Sequence, residues 1–270
     1  MTPGVLSNPR SDRVRAVRAL TRRVVRDKQG LFLADGPQSV REAVTHRPDV
    51  VRDLYVTADA IGRHAAVVEA ALAARLPVRE VTGEVLTAMD NGQLTVAPQG
   101  LLAVCAVFGS SLEDVLAPLP GLICVLTNVR DPGNAGTVLR AADAAGADAV
   151  ILPLGSVDVF GPKVVRSTAG SLFHLPVVSG LEIDDVLGQI RRAGLRLLAA
   201  DGSGPCVLDE VDLTGRHAWV MGNEAWGLDE RVRAQCDEVV RVPIHGRAES
   251  LNLAMAATLC LYASARAHHG

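Results

Sequence analysis

Asn134 with Arg140, Gly222 with Glu224, and Ser250 with Asn252 are three short groups whose residue types could do chemistry, and each follows an apolar run. Arginine offers a planar fork of donors that matches phosphate oxygens, while the amide, hydroxyl and carboxylate groups orient a ligand or another side chain. Asn134 falls just after the turn signal Asp131-Pro132-Gly133. Arg140 stands about one and a half turns further along an alanine-rich segment that predicts a helix through Ala145. Ser250 is suited to capping a helix whose Leu251, Leu253, Ala254, Ala257, Thr258, Leu261 and Tyr262 recur at helical spacing. Taken singly, each residue reads as an ordinary cap or turn residue. Taken together at strand ends, they mark the crevice where an open α/β sheet collects its ligand. The chain has no G-x-x-x-x-G-K and no G-x-G-x-x-G, so neither a P-loop nor a dinucleotide fingerprint is supported.

The elements that must position these groups follow from the apolar pattern. Val239, Val240 and Val242 read as the end of a buried strand, and Pro243 stops ladder pairing there. Leu122–Leu126 is a continuous apolar run of the kind found in central parallel strands, and Ala149–Leu152, Leu175–Val178, Leu195–Ala200 and Ala218–Met221 also read as strands. Helices are expected at Val164–Phe173 and Ile183–Ala193. Before them lies a smaller α/β pattern: strands at Leu31–Leu33, Leu54–Val56, Pro77–Val81 and Leu101–Phe108, with helices through Val40 and Val44 and from His64 to Arg75. The turn-rich GSSLEDVLAPLPG holds at most one helical turn, at Leu112–Leu116. The expected organisation is a small α/β domain over residues 1–107, a linker over 108–120 and a larger α/β domain over 121–270.

With 49% hydrophobic and 21% charged residues in 270, the chain reads as folded, and disorder is excluded. No apolar run reaches the roughly 18 residues of a membrane span, and MTPGVLSNPR lacks a signal-peptide core, so a cytoplasmic protein with no membrane partner is expected. Five cysteines without a C-x-x-C and seven scattered histidines predict no metal site and no disulfide framework, with His268-His269 a frayed tail. Net charge is −3, yet residues 1–40 carry eight basic against three acidic side chains. Val14, Val17, Leu20 and Val24 form an apolar stripe through that stretch, which reads as one amphipathic helix. Its arginine face is either a solvated surface or an RNA-binding one, and Arg15, Arg18, Arg22, Arg26 and, further on, Arg166 are the candidates.

The motifs DPGNAGTVLRAADAAGAD, GNEAWGL and VPIHGRAESLNLAMAA, in this order over about residues 121–265, resemble the SpoU (TrmH-type) branch of the SPOUT RNA 2′-O-ribose methyltransferases. GLFLADGPQSVREAV is similar to that family's ribosomal-protein-like substrate-binding domain, although Asp35 stands where Glu is expected. The resemblance implies a parallel-sheet domain with a deep trefoil knot, an obligate homodimer, and S-adenosylmethionine held mainly by backbone groups. The cofactor positions it implies are Ala200, Gly202, Met221, Gly222, Asn223, Val242, Ile244, Ser250, Leu251 and Ala254. It carries the catalytic arginine to Arg140 and its polar neighbours to Asn134, Glu224, Ser250 and Asn252. A side chain at Gly222 is expected to block the cofactor before it unfolds the protein.

Methyl transfer from a sulfonium to a ribose hydroxyl needs the two in line, which makes positioning a large part of the rate. Arginine is a poor base while its pKa exceeds about 12, so Arg140 is expected to hold phosphate and stabilise alkoxide charge, with a perturbed arginine acting as base left open. Large-subunit ribosomal RNA is the expected substrate. Transfer RNA, and a non-catalytic RNA-binding or ribosome-assembly protein on the same fold, are the alternatives.

Overall fold

In a computed structural model, which describes residues 4–90, 99–223 and 225–270, the chain forms two compact units. The first takes in residues up to Phe108 together with Phe160–His174, and the second takes in Gly109–Val159 with Leu175–Gly270.

The first unit contains α1 (Asp12–Ala19), α2 (Arg23–Gln29), β1 (Leu31–Asp35), α3 (Pro37–His46), β2 (Val51–Thr57), α4 (Ala58–Arg63), α5 (Ala65–Ala73), β3 (Val78–Val81), α6 (Gly83–Asp90) and β4 (Leu101–Ala106). Its sheet runs β1-β4-β2-β3, with β4 antiparallel to both neighbours and β2 parallel to β3. The basic stretch, expected as one amphipathic helix, is two. The chain leaves α1 at Leu20, and Arg22 is extended before α2 begins. Val14, Val17 and Leu20 are buried, but Val24 is 79% exposed and is not part of the apolar stripe. Arg26 also departs from expectation, being only 4% exposed, because its guanidinium donates to the carbonyls of Leu20 (2.8 Å) and Thr21 (2.9 Å). It ties the break between the helices together and does not belong to the exposed arginine face. Arg15, Arg18 and Arg22 are exposed, and Arg15 pairs with Asp12.

The second unit runs through α7 (Leu112–Leu116), β5 (Leu122–Leu126), α8 (Pro132–Ala144) and β6 (Ala149–Leu152). After α9 (Pro162–Ser167), which lies in the first unit, it resumes with β7 (Val177–Ser179), α10 (Ile183–Arg192), β8 (Arg196–Ala200), β9 (Cys206–Val207), β10 (His217–Met221), α11 (Glu230–Arg233), β11 (Glu238–Arg241) and α12 (Leu253–His269). Seven parallel strands form its sheet in the order β7-β6-β5-β10-β8-β11-β9. Every residue of β5, β6 and β10 is buried, as the unbroken apolar sequences of β5 and β6 require, and in β10 this includes the polar His217. In the stretch 108–120, expected as a linker, Leu112, Val115 and Leu116 of α7 pack into this core beside Ile123 and Val125.

The helix expected at Val164–Phe173 is divided, because Ala169 and Gly170 adopt positive φ (50° and 102°) between α9 and a single 3₁₀ turn at Ser171–Phe173. A Cβ at Gly170 would meet the Glu42 Cγ at 2.3 Å, so this backbone can pass only without a side chain. The segment packs into the first unit: Phe160 and Phe173 lie 4.8 and 6.2 Å from Phe32, ring centre to ring centre. Arg166 donates to Asp35 at 2.9 Å. The expected RNA-binding candidate Arg166 is thus held in an ion pair, in which burial still raises the Asp35 carboxyl above its ordinary value against the pull of Arg166. Among the described residues no helix is long and apolar enough to cross a membrane. All five cysteines are free thiols, and burial pushes Cys105 and Cys260 up to about 12.

Candidate active site at the carboxyl ends of the parallel strands

β10, β8 and β11 are neighbours, and their carboxyl ends open into one cavity of about 610 Å³, within the size range of small-molecule sites. Ala200 and Gly202 reach it from the end of β8, and Met221, Gly222 and Asn223 from β10. Val242 and Ile244 reach it from β11, and Ser250 and Leu251 from the loop before α12. Of the expected cofactor positions only Ala254 is absent from the lining. It is 2% exposed inside the first turn of α12, and Leu253 and Ala256 face the cavity in its place.

The loop after β10 is closed on itself. Asn223 N donates to Gly227 O (2.8 Å), Gly227 N donates back to Asn223 O (2.9 Å), and the Asn223 side chain accepts from Ala225 N while donating to Asn128 O. A Cβ at Gly222 would lie 2.3 Å from the Gly227 carbonyl carbon and 2.4 Å from Leu228 N. Gly222 is therefore needed to close the loop, and a side chain there displaces backbone before it reaches any ligand, contrary to expectation. Gly202 is the position where an added Cβ meets nothing within 4 Å.

Asp131 caps α8 by accepting from Asn134 N, which fixes the start of the helix. At α12 the cap is Asn252, whose Oδ1 accepts from Ala254 N (2.9 Å) and Met255 N (3.4 Å), so Ser250 is not the cap that its type suggested. The Asn252 amide also donates to Asn134 Oδ1 at 3.0 Å. Two motifs separated by 118 residues are thus joined directly. Arg140 is exposed on α8 and lines neither this cavity nor its neighbour, and Glu224 lies outside the described residues.

Asp201 and Trp226 line the cavity without having been singled out in the sequence. An Asp-Gly pair at a strand end and a tryptophan among glycines were the available signals. Burial pushes the Asp201 carboxyl up, but the Ser203 hydroxyl and amide, Arg233 and the Leu228 amide together hold it below its ordinary value. Arg241, also on the wall, donates to the carbonyls of Gly204 (2.6 Å) and Pro205 (2.8 Å). The carboxylates of Asp201 and Glu249 thus face a cavity whose only arginine is already engaged, and the remaining lining is largely apolar. Such a site accepts a ligand that combines apolar surface with positive charge.

Residues 121–262 match the SpoU rRNA Methylase family, just over half of the chain. The chain belongs to that family. Residues 11–103 match the MRM3-like substrate binding domain. The chain is 29% identical over 257 residues to the 23S rRNA (guanosine(2553)-2′-O)-methyltransferase RlmP of Bacillus subtilis, covering 95% of this chain and 97% of that one. It is 31% identical to the 23S rRNA (guanosine-2′-O-)-methyltransferase RlmB of Bordetella pertussis, covering 87% and 97%. A solved AdoMet-bound rRNA methyltransferase from Sinorhizobium meliloti superposes with a TM-score of 0.84 at 30% identity, over 97% of each chain. S-adenosylmethionine is accordingly the cofactor of this SpoU protein, and the lining fits it: Asp201 and Glu249 complement its net positive charge, and Met221, Leu251 and Leu253 supply apolar surface.

Proposed function

We propose that the protein methylates a ribose 2′-hydroxyl in large-subunit ribosomal RNA. The observation that carries the reading is the contact between Asn134 and Asn252 in a hollow that adjoins the cavity, which brings the first and third motifs together beside Asn223 of the second. When bound, S-adenosylmethionine supplies an electrophilic methyl group on a sulfonium. The chain's own residues do the rest by placement. The apolar wall excludes water, the Asn134–Asn252 amide pair orients the incoming ribose, and the fork of Arg140 holds an adjacent phosphate and stabilises charge as the hydroxyl loses its proton. The exposed Arg15, Arg18 and Arg22 recruit the RNA backbone.

The same reading includes a cytoplasmic homodimer with a trefoil knot in the second unit. Met255, Leu259 and Tyr262 support the dimer, since they leave 53, 46 and 44% of themselves exposed along α12. The test is transfer of labelled methyl from S-adenosylmethionine to purified ribosomal and transfer RNA, followed by mapping of the alkali-resistant linkage that a blocked 2′-hydroxyl creates. Label at one nucleotide of large-subunit RNA is the expected result. Label in transfer RNA alone would move the substrate, and a folded, cofactor-binding protein that labels nothing would leave a non-catalytic RNA-binding role.

A further inference from the structure

Trp226 is 61% exposed on a loop that is otherwise braced, and it lines two cavities at once. One is the cofactor cavity. The other adjoins it through Asn223, Ala225 and Trp226 and is walled by Arg130, Asp131, Asn134 and Asn252. The guanidinium of Arg130 lies 5.4 Å from the indole centre, within the range of a cation–π contact. The reciprocal bonds between Asn223 and Gly227, and the absence of room for a Cβ at Gly222, hold the loop that presents the ring. An aromatic held this way loses little conformational freedom on binding, because its backbone is already fixed and its side chain has two torsions.

Resting on the methyltransferase reading, we propose that Trp226 is a stacking platform for an unpaired nucleobase of the RNA substrate, seated in the cavity beside the cofactor. A ribose brought beside the cofactor cavity carries its base within a few ångströms, and an unpaired base there offers its face for stacking on an aromatic side chain. The indole face replaces the lost stacking for any base, so the platform holds a nucleotide without reading its identity. The Arg130 guanidinium stands over the ring, and the Asn134–Asn252 pair places amide groups on the wall of the same cavity.

Two tryptophans are present, and Trp219 is fully buried with its indole N–H donated to Ser264 at 2.9 Å. Solvent-accessible tryptophan fluorescence of the intact protein therefore reports Trp226. The probes are a short oligoadenylate and the same oligomer built with abasic residues. Oligoadenylate is expected to quench the emission and shield it from acrylamide, and the abasic oligomer to do neither. Trp226→Ala should weaken oligoadenylate binding roughly 5- to 150-fold, the cost of losing one base–aromatic stack, while Trp226→Phe keeps most of the affinity. Two results would overturn the proposal: emission in the free protein already inaccessible to acrylamide, or Trp226→Ala binding oligoadenylate as the parent does. Methyl transfer to ribosomal RNA by the parent, measured in the same preparation, separates this outcome from failure of the reading beneath it. A parent that transfers methyl while Trp226→Ala binds normally sinks only the stacking platform, and a parent that transfers none sinks both.

Discussion

The two ends of the seven-stranded sheet are built from similar residue types and do opposite things with them. At the amino ends, polar groups are used up on the protein itself. Asp148 accepts from Gly121 N and Leu122 N at 2.8 and 2.9 Å, Asp237 from Leu197 N at 2.7 Å, and Arg216 donates to Pro120 O and Ala193 O. Ser264, fully buried on α12, accepts from Trp219 and is 2.7 Å from His217 Nε2, while His217 Nδ1 donates to Gly215 O. At the carboxyl ends the backbone diverges into the loops after β8, β10 and β11, which leave a cavity and an exposed tryptophan. The difference teaches that polar residues brace the amino side of this sheet from within, whereas at its carboxyl side residues that also brace backbone stand around open space.

If that division is sound, the two ends should fail in different ways. The largest effect is expected at Arg140, on the helix leaving the carboxyl end of β5. Arg140→Ala should slow single-turnover methyl transfer by about 10²- to 10³-fold, as for loss of a donor aimed at transition-state charge, with thermal stability unchanged. Lysine should rescue little, since a point charge does not reproduce the planar fork. A rate loss that followed RNA affinity alone would reassign Arg140 to substrate binding.

Next in size is the cavity itself. Gly202→Val adds methyl groups to open space and should lower S-adenosylmethionine affinity by roughly tenfold or more, measured by calorimetry, with the melting temperature unaltered. Gly222→Val should instead lower the melting temperature together with affinity, because it strikes the Gly227–Leu228 backbone. If the two variants behaved alike, the distinction between lining and bracing glycines would collapse.

At the amino ends the expected loss is stability. Ser264→Ala leaves the Trp219 N–H and a His217 ring nitrogen unpaired in the core, at a cost of about 2 to 4 kcal/mol, or roughly 5 to 15 °C in Tm. Methyl transfer and cofactor affinity below the transition should match the parent. A variant with parental Tm and reduced transfer would break the comparison outright.

The smallest effect concerns pH. Burial lowers the pKa of His217 below its ordinary 6.5, so the unfolded chain takes up a proton that the folded chain refuses. Stability should therefore fall as pH drops through the window below 6.5 and be fully present above it. Melting curves between about pH 5 and 7 should show this slope in the parent and less of it in His217→Gln. An equal slope in both would assign the dependence to other groups.

How legible the molecule was from sequence can be judged residue by residue. The run LICVL read correctly as a buried parallel strand because a strand covered on both faces is apolar throughout, a signal contained in five consecutive residues, and AWVM read as a strand one residue short of β10, whose first residue is the polar His217. The DPG turn and the start of α8 at Pro132 were equally local. Ser250 and Asn252 were harder: both types cap helices, and the choice depended on where the loop from β11 delivers the chain, which left Asn252 to take the cap and reach Asn134. Arg26 looked like its exposed neighbours, since its charge is in the sequence but the break between α1 and α2 that buries it is not.

What the sequence determined by itself, then, is whatever a short window encodes: apolar period, turn chemistry, the order of the three motifs, and through them the family. Which core the apolar residues Phe160 and Phe173 enter was decided only in three dimensions, because hydrophobic burial has no direction and any apolar surface of the right shape will serve. The same holds for the cavity. Its walls come from β8, β10 and β11, which are neighbours only because the strand order departs from the chain order, and no local pattern records that pairing.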